Sequence, residues 1–335
     1  MIQTIRNAWA VPELRKKMLF TVFALLIFRL GSAIPVPYID SATLEQHLQT
    51  QSGTILGLMN AMSGSAFSMA TIFALSIQPY INASIIIQLL TIAIPALERL
   101  AKDGGEDGKK KIQSITRYTT LGIGLLQGFG YYTLIRSYGL LNNESVWAAI
   151  VIVMSFTAGA VFLMWLGEQI TEFGVGNGIS IILFTGIVSR IPAMIMTLST
   201  GLKNWMAHLD MSGWTEEQIK NTVVLNPGLV VLMVIGMLAL VVFIVFITNS
   251  ERKVPVQYAK RVVGRKMYGG QSTHIPMKVN MSGVMPIIFA QSIAALPATI
   301  GAFAGWTTQN SVLMRLFDTS KPFYSILYFL LIVGF

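Results

Sequence analysis

No cysteine occurs in the chain, which excludes disulfides, zinc–thiolate centres and thiol catalysis. Charge is scarce as well. Charged residues are 12% of the 335 and hydrophobic ones 53%, whereas a soluble domain carries about a quarter charged. A surface so poor in charge would not stay in water. Histidine is confined to His47, His208 and His274, scattered over polar stretches and without partners at metal-ligand spacing. No Ser–His–Asp set or pair of carboxylates stands out, so an enzymatic reading lacks support, and nothing calls for a cofactor or metal. A cleavable secretory leader is not expected either. Arg15, Lys16 and Lys17 precede an apolar stretch, but no small-residue cleavage site follows it. The rigid Ile34-Pro35-Val36-Pro37 comes instead, so that stretch is expected to stay as a membrane helix.

What the chain has is long apolar runs of the length a bilayer core demands. They fall at roughly 18–34, 75–94, 118–138, 146–166, 179–198, 227–248, 282–303 and from 322 onward. With the N-terminus inside, the cytoplasmic segments hold seventeen Lys and Arg and the opposite side five. That asymmetry sets the expected orientation. Two hydrophilic loops, 95–117 and 249–281, both fall inside. The first, around Asp103–Lys111, fails the spacing of a phosphate cradle and carries Glu106 and Asp107, so it reads as a solvated loop.

Ionisable side chains are nearly absent from the spans. Arg29, Glu168 and Arg190 lie toward span ends, as the roughly 3 kcal/mol insertion cost of a central charge requires. Uncharged polar and small residues are common instead. Gly124 and Gly128, four apart, would let two helices approach closely. Gln78, Asn82, Ser84, Gln88, Gln127, Gln291 and Ser292 suit either ordinary interhelical hydrogen bonding or a seam weak enough to open. Residues 63–74 are small and semi-polar, and Pro79 sits just inside the helix that follows. The expectation is a short, poorly lipophilic helix buried among the others, with a surface hairpin outside the membrane as the alternative.

Four long motifs make the reading specific. Pro79–Leu90 (PYINASIIIQLL), Trp165–Glu172 (WLGEQITE) with Gly176–Ser180 (GNGIS), Tyr258–Arg261 (YAKR) and Gln271–Gly283 (QSTHIPMKVNMSG) resemble the SecY family, in that family's order, from about residue 4 to the end. The resemblance implies an all-α membrane protein, a multi-helix bundle of two inverted-topology halves around a central hourglass pore. The halves would be 1–198, with helices one to five, and 199–335, with helices six to eight. The eighth helix would be incomplete and the last two absent.

By the same resemblance, Ile77, Ile81, Ile179, Leu183 and Ile288 would form the pore ring. Ser63, Gly64, Ser65, Ala66, Phe67, Ser68, Met69, Ala70, Thr71 and Ile72 would form a plug, within about 63–73. Asn82, Gln127, Gln291, Ser292 and Leu296 would line a lateral gate. Arg252, Lys253, Arg265 and Lys266, on the loop 249–281, would dock ribosomes and the SecA ATPase, although basic residues there also serve as topology determinants alone. Implied partners are SecE, SecG, signal peptides, nascent chains and membrane lipids, at the bacterial cytoplasmic membrane. The implied function is conduction of unfolded polypeptides, with lateral release into lipid. A secondary transporter would need a midplane charged site, which is not visible. A poreless insertase or scaffold fits the composition equally well.

Overall fold

The computed structural model describes residues 9–49, 60, 63–206, 226–256, 261–263, 266–268, 273–279, 286–287, 290, 293–294 and 321–334. Among them are helices α1 (Pro12–Gly31), α2 (Ser41–Gln49), α3 (Gln78–Ala93), α4 (Pro95–Lys102), α5 (Gly105–Ser137), α6 (Val146–Phe173), α7 (Gly178–Val188), α8 (Ile191–Met206), α9 (Pro227–Asn249) and α10 (Pro322–Gly334). The strands are β1 (Glu251–Val256), β2 (Arg261–Val263), β3 (Lys266–Tyr268) and β4 (Thr273–Lys278). The chain forms two compact units, Met1–Ile191 with Phe289–Phe335, and Pro192–Ile288.

In the first unit α6 is central, and α1, α3, α5 and α7 all pack on it. Its start is fixed by Ser145, whose hydroxyl accepts from the Ala148 N–H at 3.2 Å, the usual N-cap arrangement. Asn177 caps α7 in the same way, accepting from the N–H groups of Ile179 and Ser180. Gly124 and Gly128 bring α5 against α6. A Cβ on Gly124 would stand 3.4 Å from Thr157 Cγ2, and one on Gly128 3.3 Å from the Val153 carbonyl. The paired glycines thus serve helix approach, as their spacing suggests.

Among the described residues three helices are long and apolar enough to cross a membrane: α6, the run Gly178–Met206 spanning α7 and α8, and α9. A fourth arises if α3 and α4 count together. That pair bends by 102°, because Ile94, held extended before Pro95, cannot continue the helix.

Three expectations change. Residues 95–117 are not a loop: they form α4 and the first turns of α5, joined at Gly104 and Gly105. On either side of its glycines this stretch carries Ala96–Lys102 and Lys109–Lys111, rich in Ala, Leu, Arg and Lys, which sustain helix. With 33 residues, α5 is about 50 Å long, well beyond the roughly 30 Å hydrocarbon core. Residues 249–281 contain an antiparallel ribbon, β1 paired with β4 and β2 with β3. Glu251 lies opposite Lys278 at its base, a favourable cross-strand pair. Pro255 and Pro276 are tolerated because both strands are edges. Residues 63–77 are not a helix but a succession of turns.

The apolar core of the first unit has two parts. One joins the segment after α1 (Val36, Ile39, Leu44) to Phe67, Tyr131 and Phe156. The other joins Phe28 of α1 to Phe73, Ile77, Leu163, Ile170 and Ile182. Residues 63–77 thread between them and touch α6 directly: a Cβ on Gly159 would fall 2.0 Å from the Ile72 carbonyl oxygen. Because that neighbour is backbone, Gly159→Leu is expected to destabilise the protein by about 3 kcal/mol. Thermal unfolding in detergent checks this; an unchanged midpoint would contradict the contact.

Candidate functional site

The turn-rich segment is held by its own side chains and by its neighbours. The Ser63 hydroxyl accepts from Phe67 N–H at 3.0 Å, and Asn60 Oδ1 accepts from Ser68 N–H at 3.1 Å. Such short polar side chains offer the backbone an alternative to helix, which is why the segment coils. Gly64, Ser65, Ala70 and Ser76 all have positive φ, a region ordinarily left to glycine. The segment is tied outward by Val36 N–H to the Ala70 carbonyl and Ile72 N–H to the Ile34 carbonyl, both at 3.0 Å. Ser63, Ala66, Phe67, Ser68, Ala70 and Thr71 are buried, while Met69 is 42% exposed. Of the two readings of this stretch, the buried one holds and the surface hairpin does not.

Four of the five proposed ring residues come together. Ile77 is fully buried in the second core cluster, and Ile81, Ile179 and Leu183 pack partly buried against it. Gly167 of α6 marks the junction: a Cβ there would stand 3.4 Å from Ile77 Cδ1 and 3.3 Å from Ile179 Cγ1. Ile77 is not in α3 as the sequence suggested but is the residue just before it, at its N-cap. Leu163, Leu166, Ile170 and Ile182 back the cluster. Ile288 lies outside the described residues, as do Gln291, Ser292, Leu296 and Arg265.

Asn82 and Gln127 are both half-buried; the Gln127 Oε1 is buried and has no hydrogen-bond partner among the described residues. Arg252 and Lys253 lie exposed on β1, and Lys266 opens β3. The ribbon geometry therefore replaces a featureless loop as the support for the basic residues.

Sequence reasoning missed two features. Glu168, noted only as a peripheral charge, receives a two-pronged ion pair from Arg117: Nη2 to Oε2 at 2.8 Å and Nε to Oε1 at 3.1 Å. Gln113 Nε2 donates to the same Oε1 at 3.1 Å. The contact clamps α5 to α6 across fifty-one positions of sequence, which no local pattern reveals. The second is Tyr131, whose hydroxyl donates to the Phe67 carbonyl and whose ring stacks on Phe67 at 4.4 Å.

A family model described as SecY matches residues 71–335. The chain belongs to the SecY family. Among curated SecY relatives, protein translocase subunit SecY of Escherichia coli K12 is 43% identical over 96% of this chain and 70% of its own length. The Buchnera aphidicola subunit of that name is 44% identical over 96% and 87% respectively, and the Streptomyces galbus one 40% over 100% and 75%. The fold also matches solved channels. "The structure of a protein conducting channel" aligns at TM-score 0.59 and 15% identity, over 96% of this chain and 70% of that one. "Sec61 in the Canine ribosome-channel complex from the endoplasmic reticulum" aligns at TM-score 0.52 and 15% identity, over 86% and 58%.

The Arg117–Glu168 clamp yields a direct expectation. Arg117 is about half exposed and Glu168 mostly covered, so solvent screening keeps the coupling modest. A double-mutant cycle with Arg117→Gln and Glu168→Gln is expected to give about 1 kcal/mol of interaction, read from unfolding in detergent. A value near zero would make the pair incidental.

Proposed function

We propose that the chain is the pore-forming subunit of a protein-conducting channel that passes unfolded secretory polypeptides across a membrane and releases transmembrane segments sideways into lipid. The observation that carries this is the charge-free cluster of Ile77, Ile81, Ile179 and Leu183 beside a buried, irregular segment. Aliphatic side chains offer water and ions no hydrogen bonds, and such constrictions close by dewetting. A collar of flexible aliphatics can also spread around a threading chain without reading its sequence. In this reading Ile288 completes the collar from the second half of the chain, and residues 63–72 are the plug that covers it when idle.

The inverted halves 1–198 and 199–335 would part along a seam lined by Asn82, Gln127, Gln291, Ser292 and Leu296. Interhelical hydrogen bonds average about 0.6 kcal/mol in membranes, so an entering signal segment can offset their loss with its own contacts. The 249–281 segment, with Arg252, Lys253, Arg265 and Lys266, would dock SecA or a ribosome, and these partners supply the energy. The chain performs no catalysis of its own. SecE and SecG complete the assembly in the bacterial plasma membrane, with the N-terminus in the cytoplasm as the Lys and Arg asymmetry supports.

The names of the curated relatives as protein translocase subunits agree with this reading. So does a solved SecY protein at TM-score 0.56 and 16% identity, whose plug domain is described as stabilising the closed state and maintaining a membrane seal.

Membranes bearing the complete subunit with SecE are expected to import a signal-bearing precursor when SecA and ATP are added; failure to do so would overturn the assignment. In planar bilayers Ile81→Asn is expected to raise the ion conductance of the idle channel, and unchanged conductance would remove Ile81 from the collar. Arg252→Ala combined with Lys253→Ala is expected to weaken ribosome binding and lower its log–log salt slope by about 2. An unaltered slope would leave those residues as topology determinants only.

A further inference from the structure

Tyr131 lies on α5, outside every residue set assigned above, yet it makes the most specific contact to residues 63–77. It is 5% exposed, and its ring is sandwiched between Phe67 at 4.4 Å and Phe156 of α6 at 5.0 Å. Its hydroxyl donates to the Phe67 carbonyl. That carbonyl also accepts from Ala70 N–H at 3.1 Å, and the Ala70 carbonyl in turn accepts from Val36 N–H at 3.0 Å. One phenol therefore stands at the head of a bonded chain that runs from α5 through the segment to the exit of α1.

The same segment holds features that oppose its burial. Ser65, Ala70 and Ser76 take φ of 75°, 45° and 52°, each strained for a residue with a side chain. Ser76 is 3% exposed, and its hydroxyl has no hydrogen-bond partner among the described residues, a desolvation loss that water would relieve. Ser76 also directly precedes Ile77, where the irregular segment joins the collar.

We infer that Tyr131 is the latch of the plug, a positioning residue that keeps residues 63–72 seated against the strain at Ser65 and Ala70 and at Ser76, the hinge that joins them to the collar. This rests on the reading of that segment as a plug. The two elements act in opposite directions. Removing the phenol oxygen favours departure, while relieving Ser76 favours retention. Neither changes the departed state, in which the Tyr131–Phe67 contact is broken.

These 335 residues contain no cysteine, so an introduced thiol reports on its own position once any thiol elsewhere in the channel is replaced by serine. Ala66, 1% exposed, is replaced by cysteine as the reporter, and its maleimide labelling rate is followed in membranes carrying the complete channel. Rates are compared with the channel idle and with a precursor arrested in transit. Tyr131→Phe keeps the ring but loses one neutral hydrogen bond, so idle labelling is expected to rise about three- to tenfold. Ser76→Ala, which removes the unpaired hydroxyl without loosening the backbone, is expected to slow it about threefold or more, and the double variant to return near the parent rate. With a precursor in transit all variants are expected to label alike, which a general loss of packing would not produce. If transit accelerates labelling but Tyr131→Phe leaves the idle rate unchanged, the latch is overturned and the plug reading survives. If transit never accelerates labelling, the plug reading fails and the latch fails with it.

Discussion

Backbone that leaves regular structure inside a membrane protein must find every hydrogen bond within the protein itself. That constraint governs residues 63–77 and, through them, much of the first unit. The Ile34 carbonyl and Val36 N–H bond to the segment in a two-residue bridge, which requires the chain after α1 to turn back rather than run out into solvent. Pro35 and Pro37 enforce that turn. Gly159 brings α6 against the Ile72 carbonyl, and Phe73 packs between Phe28 and Phe162 with its ring nearly parallel to both. Each neighbour is shaped by the need to enclose a piece of chain that has no helical ladder of its own.

The interior and its margin are held by different forces. The cluster around Ile77 depends on dispersion and exclusion of water, neither of which is directional. The loop between α6 and α7 is held differently. Thr21 of α1 accepts from Val175 N–H at 3.1 Å, and Thr171 accepts from Gly178 N–H at 2.9 Å. Directional bonds thus fix the start of α7, the helix that carries Ile179 and Leu183.

Much of this was legible in one dimension. Apolar run lengths placed the helices of the described residues, the run 282–303 lying almost wholly outside them; Gly124 and Gly128 marked a true helix contact, and the PYINASIIIQLL and WLGEQITE motifs identified the family. The sequence misled where local composition was at odds with context. The polar residues of 95–117 look like loop, yet α5 runs straight out of the apolar zone because nothing between Gly105 and Ser137 interrupts its hydrogen-bond ladder. The small residues of 63–77 look able to form helix, but four positive φ angles and serine-to-backbone bonds prevent it. The ribbon after α9 alternates too weakly, with proline in both long strands, to announce itself. Long-range pairings such as Arg117 with Glu168, or Tyr131 with Phe67, leave no trace in spacing and require the fold.

The length of α5 has a mechanical meaning. A straight rod of about 50 Å that is pinned to α6 near Arg117 cannot rock without moving its far end. One degree of tilt about that point shifts that end by about 0.5 Å, comparable to the spread of hydrogen-bond distances. Tyr131 rides near that far end. Because Gly124 and Gly128 seat the same rod on α6 along its length, the two helices would have to swing together, and Tyr131 would carry any such swing to Phe67.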